Sequence, residues 1–77
     1  MIRYSKQAEK FILSQGKTQA LRIYTAINKL PIGDVKKLKG SDKPVLYRLR
    51  IGNYRAIFTL SEDDISILKV DNRGDVY

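Results

Sequence analysis

A β-hairpin with a two-residue loop leaves little freedom in how its strands pair, and residues 45–60 read as one: V-L-Y-R-L-R-I, the turn G-N, then Y-R-A-I-F-T-L. Pairing Ile51 with Tyr54 sets Arg50 opposite Arg55, Leu49 opposite Ala56, Arg48 opposite Ile57, Tyr47 opposite Phe58 and Val45 opposite Leu60. Side chains alternate between the faces of a strand. Val45, Tyr47, Leu49, Ile51, Tyr54, Ala56, Phe58 and Leu60 therefore share one face, and Arg48, Arg50 and Arg55 share the other. The first is a core face. On the second, two arginines stand directly opposite each other, and like charges paired across strands are destabilising. A bound anion gives that pair a purpose that folding alone does not.

A chain of 77 residues buries only about 60 % of its unfolded surface, so a single small domain spanning 1–77, helped by a partner, is expected. Periodic apolar residues making up 43 % of the sequence argue for a globule and not a disordered basic tail. With neither cysteine nor histidine, disulfides, thiolate chemistry, the usual zinc sites and imidazole acid–base catalysis are excluded together. The net charge of +7 points to an anionic partner such as nucleic acid or an acidic protein. The basic residues concentrate in a loop and a sheet and not on an amphipathic helix, which argues against a membrane surface. Met1 is followed at once by charged and polar residues, so a cytoplasmic protein without a signal segment is expected.

Taken in order, residues 1–4 read as a short strand, and Ser5 can cap a helix carrying Ala8, Phe11 and Ile12. Gly16 stops it, Thr18 can cap a second helix with Leu21, Ile23, Tyr24, Ile27 and Leu30 on its stripe, and Pro31 and Gly33 end that one. Residues 34–44 read as a polar loop bearing Lys36, Lys37, Lys39 and Lys43, with a bend at Gly40 and Leu38 as its anchor. After the hairpin, Glu62, Asp63 and Asp64 lie in a second turn. The next strand, residues 65–70, pairs Leu60 with Ile65, Phe58 with Ile67 and Arg55 with Val70, putting Leu68 and Val70 on the arginine face. The fold expected is α+β: an N-terminal strand, a two-helix hairpin, then a three-stranded antiparallel sheet with the helices on one face.

The segments KKLKG at 36–40, YRLRIGNYRAIF at 47–58 and NRGDVY at 72–77, in that order and spacing, resemble the RelE/ParE superfamily of type II toxin–antitoxin toxins, on the RelE side. The resemblance covers nearly the whole chain. It implies a toxin that cleaves messenger RNA in the ribosomal A site by attack of a ribose 2′-hydroxyl on the adjacent phosphate, inhibiting translation. It also implies an acidic antitoxin, encoded beside it, that silences it in a hetero-oligomer. Carried onto this sequence, the family's functional positions are Arg48, Arg50, Arg55, Arg73 and Tyr77. Some members carry lysine where Arg48 and Arg50 stand, many carry histidine where Asn72 stands, and relatives often continue past the position of Tyr77.

The three sheet arginines suit charge stabilisation on a phosphoryl group, because a guanidinium is a planar donor fork and stays protonated. Proton transfer falls to Tyr77 beside Arg73, with Lys39 next and Asp71 or Asp75 behind. Lys36, Lys37, Lys39 and Lys43 form an RNA-steering patch. Glu62, Asp63 and Asp64 read as solubilising turn residues, so neither a metal nor any other cofactor is expected. Two rival functions remain: a ParE-like poison of DNA gyrase, and a non-catalytic basic module that binds RNA.

Overall fold

The computed structural model describes residues 1–72, apart from the side chains of Ser41 and Asp42. Its elements are β1 (Ile2–Tyr4), α1 (Lys6–Ser14), α2 (Lys17–Asn28), β2 (Asp34–Asp42), β3 (Val45–Ile51), β4 (Tyr54–Leu60) and β5 (Ile65–Asn72). They form one five-stranded sheet in the order β1-β5-β4-β3-β2. β1 runs parallel to β5, and every other pair is antiparallel. Both helices cover one face, where Ala8, Ile12, Ala20, Ile23 and Ile27 meet Leu49, Ile51, Ala56, Phe58, Ile67 and Val70. The α+β architecture is the expected one, and no helix among the described residues is long and apolar enough to cross a membrane.

The central hairpin has the register that its turn dictates, from Ile51 opposite Tyr54 to Tyr47 opposite Phe58. Gly52 takes φ +59° while Asn53 stays out of the left-handed region, which is the sign pattern of a type II′ turn. The aromatic residues of the core face are packing residues. Tyr47 stacks on Phe58 with ring centroids 5.5 Å apart, and Tyr54 meets Phe11 edge-on at 6.1 Å.

The segment expected to be a lysine-bearing loop is instead strand β2, which pairs Asp34 with Arg50, Val35 with Leu49, Lys36 with Arg48 and Lys37 with Tyr47. The composition misleads because β2 is an edge strand, and lysines are how natural sheets keep such edges from pairing with other chains. The ladder is interrupted between Lys37 and Asp42, and Gly40 supplies the bend there with φ +80°.

Two further departures come from local geometry. Gly16, not Thr18, holds the N-cap position of α2, and no side chain caps that helix. Leu21 is 68 % exposed; it lies about 200° around the helix from Ile23, and so on the opposite side. In β5 a bulge opposite Ile57 and Phe58 shifts the register. Phe58 still meets Ile67, but Ile57 then meets Lys69, Ala56 meets Val70, and Arg55 meets Asp71 where Val70 was expected. Val70 consequently belongs to the core at 0 % exposure, while Leu68 lies 42 % exposed at the bulge.

The bulge is held from the N-terminal side. β1 pairs with β5 only as far as Ile67, and beyond it α1 takes over. Ser5 caps that helix, its hydroxyl accepting from the Ala8 amide at 3.0 Å, and the same hydroxyl donates to the Leu68 carbonyl at 2.7 Å. Gln7 accepts from the Val70 amide at 3.2 Å and donates to its carbonyl at 3.1 Å. Backbone groups that an irregular strand would otherwise leave unpaired are thus satisfied by side chains.

Two outcomes test this packing. Val70→Ala costs about 2 kcal/mol of stability, whereas Leu68→Ala costs under about 0.5 kcal/mol; denaturant titration of both variants reads the difference, which an unbulged strand would not produce. The second concerns pH. Burial, with Tyr24 beside it, raises the Tyr4 pKa above 10, and burial with Glu9 nearby raises that of Tyr24. The unfolded chain ionises these groups first, so their effect on stability is fully favourable below about pH 10 and is lost above it. The thermal midpoint therefore falls between about pH 9.5 and 11, and Tyr4→Phe makes that fall smaller.

Candidate functional site

The sheet face turned away from the helices carries the candidate site, and register alone lays it out in two rows. One row crosses four strands as Asp34, Arg50, Arg55 and Asp71. The next, two residues along each strand, reads Lys36, Arg48, Ile57 and Lys69. The opposed arginines are therefore flanked at both ends by carboxylates, which offset the repulsion between them. The bulge turns Val70 inward and so takes it off this face, whereas Leu68 stays 42 % exposed. Ile57 and, by alternation from Arg48, Leu46 supply further apolar surface.

The two carboxylates hold their arginines differently. Arg55 makes a fork on Asp71, with Nε donating to Oδ1 at 3.1 Å and Nη2 to Oδ2 at 2.9 Å. Lys69 Nζ lies 3.7 Å from the same Oδ2. Asp34 is shared more loosely: Arg48 Nη2 reaches Oδ1 at 3.4 Å and Arg50 Nε lies 3.9 Å from Oδ2. Arg48 Nε is buried without a hydrogen-bond partner, so that guanidinium has donor capacity that the described residues leave unused. Basic groups outnumber acidic ones on the face, and the forked pair fixes the plane of one guanidinium before any ligand arrives.

Of the four lysines read as a steering patch, Lys36 joins the second row while Lys37, opposite Tyr47, points to the other face. Lys39 lies with Lys37, Leu38 and Gly40 around a hollow of about 260 Å³, and Lys43 is exposed in the turn before β3. Arg73, Asp75 and Tyr77 lie outside the described residues. Asp34, Lys69 and the pairing of Asp71 with Arg55 are the features that sequence reasoning missed. In the acidic turn, Asp64 Oδ2 lies 3.8 Å from Arg3 Nε, a pairing that ties the turn to β1.

Because Asp71 competes with any anion for Arg55, removing its charge favours anion binding. Asp71→Asn is expected to tighten binding of a short single-stranded RNA severalfold and to steepen the slope of log affinity against log salt by about 0.7. Arg55→Ala moves both quantities the other way, and fluorescence anisotropy over a salt series measures both.

No protein-family model and no curated protein matches this sequence. Solved structures do. A chain in the crystal structure of the archaeal RelE-RelB complex from Pyrococcus horikoshii OT3 superposes with a TM-score of 0.77 and 32% identity, covering 95% of this chain and 93% of that one. A chain in the RelB-RelE antitoxin-toxin complex from Methanococcus jannaschii gives 0.64 and 27%, over 97% of this chain and 94% of that one. The protein HP0894 from Helicobacter pylori, at 16% identity and a TM-score of 0.63 over 99% of this chain and 97% of that one, shares the fold. With nearly a third of its residues identical to the first of these over almost the whole of both chains, this chain belongs to the RelE/ParE superfamily of toxins.

Proposed function

We propose that the protein is the toxin of a type II toxin–antitoxin system, a metal-independent endoribonuclease that cuts messenger RNA in the ribosomal A site and so inhibits translation. The observation that carries this reading is the Arg50–Arg55 pair, set side by side with Arg48 on an open sheet face. Such a cluster suits a phosphodiester whose charge grows as a ribose 2′-hydroxyl attacks it. Removing one donor that stabilises such charge typically costs 10² to 10³ in rate.

In this reaction Arg48, Arg50 and Arg55 bind the scissile phosphate and stabilise the charge on its non-bridging oxygens. Asp71 holds the Arg55 guanidinium in plane. Arginines remain protonated at every working pH, so proton transfer is assigned to Tyr77 with Arg73 as its neighbour, and Lys36, Lys37, Lys39 and Lys43 steer the RNA. Alignment of the attacking hydroxyl is left to the ribosome, which holds the RNA in position. Free RNA is therefore a poor substrate. The relatives solved as RelE-RelB complexes support an antitoxin as the partner of this cytoplasmic, single-domain toxin, and the net charge of +7 favours an acidic one.

Primer extension on messenger RNA incubated with the purified protein tests the reading. Discrete cuts are expected with ribosomes and few without, and Arg55→Ala should lower the cleavage rate by at least about 10². Equal cutting by Arg55→Ala removes these arginines from the mechanism. Intact messenger RNA with DNA breaks in treated cells points to gyrase.

A further inference from the structure

The open sheet face continues beyond the row of Asp34, Arg50, Arg55 and Asp71. In the next row one apolar side chain, Ile57, stands between cations, with Arg48 opposite it on β3 and Lys69 opposite it on β5. The bulge adds a second apolar group at that place. Ile57 pairs with Lys69 and Phe58 with Ile67, so Leu68 is the extra residue between them, and it lies 42 % exposed while its neighbours Ile67 and Val70 are buried. With half-buried Leu46, two residues before Arg48 on β3, the apolar step spans three strands, or about 10 Å. One row further out, Thr59 stands opposite Ser66, and Ser66 opposite Arg3 of β1. Unlike the first row, neither of these two carries a carboxylate among its paired residues.

The order along the face is therefore an anion clamp, an apolar step and a pair of hydroxyls. Rows two residues apart on a strand are separated by about 6.7 Å, close to one nucleotide of an extended single strand. A base has a flat apolar face and a polar edge, and its backbone is anionic. A phosphate on Arg50 and Arg55 leaves the adjoining base over Ile57 and Leu68, with its edge toward Thr59 and Ser66, whose hydroxyls both donate and accept. Arg48 and Lys69 flank the step and suit the passing backbone. A protein partner would need a larger apolar patch than this one, bordered as it is by cations.

We propose that Ile57 and Leu68 form a base subsite, taking the base next to the scissile phosphate and favouring the larger face of a purine, with Thr59 and Ser66 at its polar edge. The assignment rests on the reading of the arginine cluster as a phosphodiester clamp. It gives the sheet a part in choosing where RNA is cut, because phosphate contacts position a strand but carry no sequence information.

The test uses the full chain and three short probes: a ribose-like phosphodiester strand of stable abasic units, and the same strand with a single central 2′-O-methyladenosine or 2′-O-methyluridine, none of which can be cut by internal attack. In fluorescence anisotropy the adenine is expected to tighten binding to the wild-type protein about threefold to tenfold over the bare strand, less than an aromatic platform would give, and the uracil by a smaller factor. Leu68→Ala and Ile57→Thr remove the gain from adenine yet bind the bare strand like wild type, with the same salt slope, because no phosphate contact is lost. Leu68→Met restores the gain. Arg55→Ala weakens all three probes alike. An adenine that gives wild type no gain overturns the proposal, as does a gain that survives in both variants, or variants that weaken the bare strand as much as the adenine probe. If wild type binds no probe and cuts no messenger RNA on ribosomes, the clamp reading falls and this subsite with it; if it cuts on ribosomes but is indifferent to the base, only the subsite falls.

Discussion

The bulge in β5 decides which residues this protein can use. Had the alternation continued unbroken past Ile67, Val70 would lie among the arginines and Asp71 would point inward. The extra residue restores Val70 to the core and turns Lys69 and Asp71 outward. Beyond Ile67, where β1 no longer pairs with β5, Ser5 and Gln7 take up the Leu68 and Val70 backbone groups that face away from β4.

That face is more balanced than a bare arginine cluster. A fold can hold two guanidiniums side by side if it supplies carboxylates at the ends of the row, and Asp34 and Asp71 do this. The arrangement has a cost for ligand binding, since an arriving phosphate must compete with a carboxylate already forked on Arg55. It has a benefit for geometry, since the guanidinium is held in one orientation before the ligand arrives. Arg48 holds Asp34 more loosely, its Nη2 donating to Oδ1 at 3.4 Å, than Arg55 holds Asp71.

What could be read from the sequence follows from where strict geometry operates. The two-residue turn at Gly52 and Asn53 fixes the pairings from Ile51 with Tyr54 to Tyr47 with Phe58, so the arginine cluster is legible. β2 was not, because the lysines that protect an edge strand have the composition of a loop, and without β2 there was no reason to place Asp34 beside Arg48 and Arg50. The bulge left a faint mark: Ile65 and Ile67 are two apart, but Val70 follows after three, a spacing that an unbroken strand cannot bring to one face. Leu21 shares the apolar spacing of α2, but its angular position opposes Ile23, and it stands 68 % exposed on the outer side of the helix.

The parallel pairing of β1 with β5 joins segments at opposite ends of the sequence, Ile2 with Ile65 and Tyr4 with Ile67. Contacts of such separation form late, because most of the chain must be ordered before they return any stability. β1 and the α1 side chains that brace β5 therefore have no place to dock until β5 exists. The two helices and the hairpin can take shape locally, but the sheet cannot grow outward from the N-terminus. The core closes and the charged row acquires its second carboxylate in the same step, so a partly made chain has neither.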